Sequence, residues 1–105
     1  MDEIKSIRAG NAVLFEWEVR DFLQRVPPLL DPDTSIVLTL YRPDGTKAED
    51  AESMVRVRQG VYRVIYQTVS ADGEDYLGQW EMEVTVVHSG RTNLSELTPA
   101  FFLTV

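Results

Sequence analysis

From Leu77 to Val86 the chain alternates without a break. Trp80, Met82, Val84 and Val86 fall on one face of an extended backbone, and Gln79, Glu81, Glu83 and Thr85 fall on the other. A period of two is what a strand buried on one side requires, because successive side chains of an extended chain point to opposite faces. Two earlier runs repeat the pattern. Val13, Phe15, Trp17 and Val19 alternate with Leu14, Glu16, Glu18 and Arg20, and Tyr62, Val64 and Tyr66 share a face within Gly60 to Thr68. Each run leaves one apolar face that only a second packed layer can cover.

The remaining segments fit the same architecture. Ser35 to Tyr41 reads as a strand that ends in Arg42-Pro43-Asp44-Gly45. There Pro43 presets φ, and Asp44-Gly45 supplies residues that tolerate a tight turn. Met54 to Arg58 is a further alternating strand, and Gln59-Gly60 turns it into the next. Ile4 to Ile7 and Ala100 to Val105 read as the first and last strands. About seven or eight strands, with turn signals every eight to twelve residues, predict an all-β antiparallel sandwich. Lys47 to Glu52 is expected to be polar and mobile, Ala71 to Tyr76 an acidic loop, and Leu94 to Pro99 a loose connection. Pro27-Pro28 and Asp31-Pro32-Asp33 forbid a regular central strand between Arg20 and Asp33. One helical turn at Asp21 to Arg25 is the only helix the pattern allows.

The 105 residues suffice for one domain, 1–105, and are too few for two. Cysteine is absent, which excludes disulfides and thiolate metal sites and suits a reducing compartment. The formal net charge of −7 repels phosphate backbones and anionic membranes, so neither nucleic acid nor membrane is an expected partner. The N-terminus lacks the basic and apolar regions of a secretory signal, and no apolar stretch approaches a membrane span. The chain thus reads as a complete domain made in the cytoplasm.

Few residues suggest chemistry. His88 is the only histidine, and no nucleophile elbow accompanies it. Asp31 and Asp33, with Asp72 and Asp75, form oxygen-rich clusters that could bind Ca²⁺, although aspartate is also a default turn residue. Glu16, Glu18, Glu81 and Glu83 sit on solvent faces, with Arg56, Arg58 and Arg63 as expected cross-strand partners. Trp17, Trp80, Tyr62, Tyr66 and Tyr76 could line a sugar-binding face. Trp17 and Trp80 lie on the apolar phase, so the expected core is Val13, Phe15, Trp17, Trp80, Met82 and Val84. Tyr41 and Tyr76 are the tyrosines expected to be more exposed. Asn93-Leu94-Ser95 is a glycosylation sequon without meaning unless the protein is exported. No catalytic residue and no cofactor is expected.

Two segments point to partners. Phe22, Leu23, Val26, Leu29 and Leu30 make the Arg20 to Asp33 connection very apolar for a loop, so something must cover it. It either folds over its own sandwich or meets another protein. The last strand carries no protecting proline or charge, so Phe101 and Leu103 are expected to reach a neighbouring subunit by edge pairing.

Gly78-Gln79-Trp80-Glu81-Met82 resembles the Gly-x-Tyr-x-Cys end of the penultimate strand in immunoglobulin-type domains. Trp80 would take the tyrosine place and Met82 the cysteine place. The nearest acid, Asp75, stands one residue too early for the family's corner. The wider set is similar to small bacterial and bacteriophage immunoglobulin-like domains. It comprises Leu38 to Tyr41, Pro43-Asp44-Gly45-Thr46, Gly60-Val61-Tyr62, Gly78-Gln79-Trp80 and terminal Phe102-Leu103-Thr104-Val105. The resemblance implies an immunoglobulin-like sandwich. For a lone domain without a leader, it implies a virion protein (head decoration, cement, connector or tail) that binds other virion subunits, with self-association left open. A carbohydrate- or polymer-binding accessory module is the other class it allows.

Overall fold

The computed structural model describes residues 5–21 and 24–105. The chain is nearly all β. Its strands are β1 (Ser6–Arg8), β2 (Ala12–Glu18), β3 (Ser35–Tyr41), β4 (Lys47–Ser53), β5 (Val55–Arg58), β6 (Val61–Gln67), β7 (Gly78–His88), β8 (Arg91–Leu94) and β9 (Thr98–Thr104). One sheet runs β1-β9-β7-β3-β4, with β8 also on β7; the other runs β2-β6-β5. All pairings are antiparallel except β1 on β9. The two sheets pack in a sandwich-like arrangement.

The longest strand, β7, organises the larger sheet. One edge pairs with β3 from Tyr41↔Glu81 to Ser35↔Val87. The other pairs with β9 at its start and with β8 at its end. The inward residues Trp80, Val84 and Val86 are buried, as are Leu38 and Leu40 of β3 and Val13 and Phe15 of β2; Trp17 and Met82 are half-buried against this core.

Trp80 is the centre of one end. Its ring stacks on Phe101 at 4.9 Å and meets Tyr66 at 6.0 Å and Tyr76 edge-on at 6.4 Å. Its indole N–H donates to the Tyr76 carbonyl at 2.9 Å, so the buried polar atom is satisfied. Arg42, from the β3–β4 turn, lies over the Tyr76 ring at 4.8 Å. Tyr41 and Tyr76, expected to be more exposed, are both half-buried.

Several expectations are corrected. Lys47 to Glu52 is part of β4, an edge strand paired with β3 through a bulge where Ala51 takes a φ of 55°; backbone pairing orders it despite its polarity. Ala71 to Tyr76 contains a one-turn helix, α1 (Asp72–Asp75). Buried Asp72 accepts from the Val69 N–H at 2.9 Å. The Leu94 to Pro99 connection is shorter than expected, since β8 extends to Leu94 and β9 begins at Thr98. Phe101 and Leu103, expected to reach a partner, are fully buried, because their phase on β9 faces the core. Nor is the end of β9 a free edge: β1 pairs with it from Ser6↔Phe102 to Arg8↔Thr104. On β9 the exposed apolar residue is Phe102, and Val105 is exposed just beyond it.

Replacing Trp80 by Ala is expected to cost about 3–5 kcal/mol in urea unfolding. Trp80→Phe should keep the ring stack and cost about 1–3 kcal/mol, chiefly through the orphaned Tyr76 carbonyl.

Candidate functional site

The Arg20 to Asp33 connection leaves the end of the sandwich opposite Trp80 and returns on itself. Arg20 and Leu29 form an isolated antiparallel bridge, and Asp21 N–H donates to the Pro28 carbonyl at 3.0 Å. Leu30 N–H donates to the Val19 carbonyl at 3.0 Å. The Arg20 guanidinium spans the base, with one nitrogen 3.2 Å from the Pro27 carbonyl and the other 2.6 Å from Glu18 Oε1. The result is a closed arm with a fixed root.

The root is seated on Gly60. This glycine has a φ of +72°, and a Cβ there would lie 2.7 Å from Leu29 Cβ and 3.0 Å from the Val19 carbonyl oxygen. Only glycine accepts both the left-handed backbone and the close approach.

Asp31 and Asp33 fasten the root to different sheets. Asp31 Oδ1 accepts from the Gly60 N–H at 2.9 Å and the Tyr62 hydroxyl at 3.0 Å, and Oδ2 accepts from Arg56 Nε at 3.1 Å. All three donors belong to the β5–β6 side. Asp33 binds the β7–β8 hairpin instead. Its carboxylate accepts from the Ser89 N–H at 3.1 Å, and its own N–H donates to His88 Nδ1 at 3.0 Å. Pro32 holds the two acids apart, so the Asp-Pro-Asp sequence clips one sheet to the other.

Hydrogen bonds hold both carboxyls below their ordinary value near 3.8. For Asp31 the Gly60 N–H contributes most, then Arg56; for Asp33 the Thr34 hydroxyl contributes most, then the Ser89 N–H. Burial pushes the Tyr62 hydroxyl up, with its bond to Asp31 adding to the effect.

The four aspartates raised as Ca²⁺ candidates do not meet. Asp31 and Asp33 lie at the arm's end of the sandwich, whereas Asp72 and Asp75 lie beyond β6 at the other. Among the described residues no three His, Cys, Asp or Glu side chains form a metal-holding group. His88 is half-buried and engaged with Asp33. Of the carboxylates on strand faces, Glu18 pairs with Arg20 rather than across the sheet, and Arg56 pairs with Asp31.

Of the apolar loop residues, Phe22 and Leu23 lie outside the described residues. Leu29 and Leu30, expected to reach a partner, are half-buried at the root, and Leu30 packs against the core. Val26 is 83% exposed at the tip. Asp31-Pro32-Asp33 stands out in the sequence as an ion-site or turn candidate, but two acceptors splayed by a proline equally suit a clip, and that role was not read from it. Arg20 and Gly60 carried no such signal, since their roles depend on a tertiary contact. No family model, curated protein or solved structure matches the chain.

Two outcomes are expected. The lowered carboxyl values mean that the clip's contribution is complete above about pH 4 and is lost as the pH falls through the folded values. Urea midpoints measured from pH 6 to pH 2.5 should therefore drop less steeply for Asp31→Asn/Asp33→Asn than for the wild type. Gly60→Ala should cost about 2–4 kcal/mol in the same assay, from the left-handed φ and the overlap with Leu29.

Proposed function

We propose that this protein is a non-enzymatic interaction domain of the immunoglobulin-like type. We further propose that it serves as a bacteriophage virion component, in head decoration, connector or tail, by binding other subunits. The observation that carries the interaction reading is the arm: a root locked to both sheets and an apolar tip left in water at Val26. A root already fixed lowers the ordering entropy that binding at the tip would cost.

The strand order supports the immunoglobulin-like type. Such sandwiches set strands B, E and D against C, F and G, the variable type adding C′ beside C; with β4 taken as C′, β2, β6 and β5 stand as B, E and D, and β3, β7 and β9 as C, F and G. Here β2-β6-β5 lies against β1-β9-β7-β3-β4. The Trp80 indole bond to the Tyr76 carbonyl also stands where that family's corner tyrosine binds backbone a few residues upstream. The virion setting rests on the resemblance carried by Pro43-Asp44-Gly45-Thr46, Gly60-Val61-Tyr62 and Gly78-Gln79-Trp80.

The polymer-binding alternative needs a row of exposed rings. Among the described residues every Trp and Tyr is buried or half-buried, and Tyr66 and Tyr76 are turned onto Trp80, which favours the assembly reading.

Val26→Asp should leave the unfolding free energy within about 0.5 kcal/mol of the wild type, because the tip is exposed. In purified particles of the phage that encodes the protein, the wild type should co-sediment in fixed copy number. Val26→Asp should be depleted about tenfold, a loss of about 1.4 kcal/mol of binding. Equal incorporation of the variant, or a wild type absent from the particles, would overturn the proposal.

A further inference from the structure

The small sheet ends on a strand whose outer edge has no partner among the described residues. β2 pairs with β6 along its whole length, from Ala12↔Gln67 to Glu18↔Val61. Its other edge offers seven residues of extended backbone whose N–H and C=O groups suit strand addition.

The space beside that edge is shaped for another layer. A cleft of about 260 Å³ opens between β2 and β8, lined by Trp17, Glu18, Val19, Arg20, Val86 and Asn93. Trp17 is half-buried there, although Phe15 and Val19 on the same phase are buried. The sheets therefore part along this margin, and Trp17 and Val86 form an apolar floor. A strand laid on β2 would turn alternate side chains onto that floor.

The opposite phase selects the partner. Leu14, Glu16 and Glu18 are exposed on the outer face of β2. Two copies of this chain paired β2 to β2 would line their four carboxylates along one seam, and each copy carries a net charge of −7. Like charges facing each other across strands are destabilising. A basic strand meets the opposite condition. Glu16 would face its lysines or arginines, and Glu18, which already holds Arg20 through Oε1, would share its carboxylate with them.

We propose that β2 is a docking edge for an extended segment of a basic partner protein, alternating apolar residues toward Trp17 and Val86 with Lys or Arg toward Glu16 and Glu18. This surface borders the arm's root, sharing Glu18, Val19 and Arg20 with it, but does not include the tip at Val26.

The probe is the acetylated, amidated heptapeptide Val-Lys-Val-Lys-Val-Lys-Val, read by amide hydrogen exchange on the full chain. At saturation, the β2 amides that face away from β6 should exchange at least about tenfold more slowly. A peptide of the same charge, N-methylated at alternate residues so that it cannot donate to the edge, should bind about tenfold more weakly. Glu16→Lys, which leaves the Glu18–Arg20 pair in place, should weaken the parent peptide about tenfold, while Val26→Asp should leave its affinity unchanged. Equal binding of the methylated peptide would mean charge attraction alone and would overturn the proposal. So would protection at β4 or β5 instead of β2, or a peptide-free dimer already protected at β2. Loss of peptide binding in Val26→Asp would place the peptide on the arm's tip and overturn the proposal.

Discussion

Two carboxylates separated by one proline tie the arm's end of this sandwich together. Asp31 takes the Gly60 N–H, the Tyr62 hydroxyl and Arg56, all from one sheet; Asp33 takes the Ser89 N–H and orients His88 on the other. Neither sheet supplies these links through its own ladder. The Arg20–Leu29 bridge, the seat on Gly60 and the direction of the arm all follow from where this clip holds the chain. The bonds are charge-assisted and therefore stronger than neutral ones, yet both acids remain partly exposed. Their effect is on geometry more than on total stability.

The other end is held differently. Trp80, Phe101, Tyr66 and Tyr76 form an aromatic cluster whose one buried indole N–H is satisfied by the Tyr76 carbonyl. Arg42 covers it from the β3–β4 turn. Rings spent on this cluster are not available to a ligand. The surfaces proposed for recognition are instead backbone and periphery: the arm tip at Val26, and the β2 margin where Trp17 is only half covered.

Much of the fold was legible because burial is written in phase. The alternation of Val13 to Val19, Tyr62 to Tyr66 and Trp80 to Val86 predicts one inward face on each strand, and Val13, Phe15, Trp80 and Val84 are buried. Ser35 to Tyr41 is a strand with the expected limits. Phase also held the correction for the last strand: Phe101 and Leu103 share the inward phase, and reading that strand as an exposed edge overlooked it. β4 was not legible, since a polar edge strand is made by pairing with β3 and not by its own propensity. The clip was half legible. Asp31-Pro32-Asp33 stood out in the sequence, but its donors lie 25 to 56 residues away, and no local pattern announces them.

The central claim is that the clip holds the arm, and amide hydrogen exchange on Asp31→Ala/Asp33→Ala tests it most directly. The account predicts that the Gly60, Ser89, Asp21 and Leu30 amides lose protection together as the arm's root opens. Amides of β3 and β7 around Leu40 and Met82, paired deep in the larger sheet, should keep theirs. Unchanged protection at Asp21 and Leu30 in a variant that has lost it at Gly60 and Ser89 would contradict the account, since the arm would then be held without the clip.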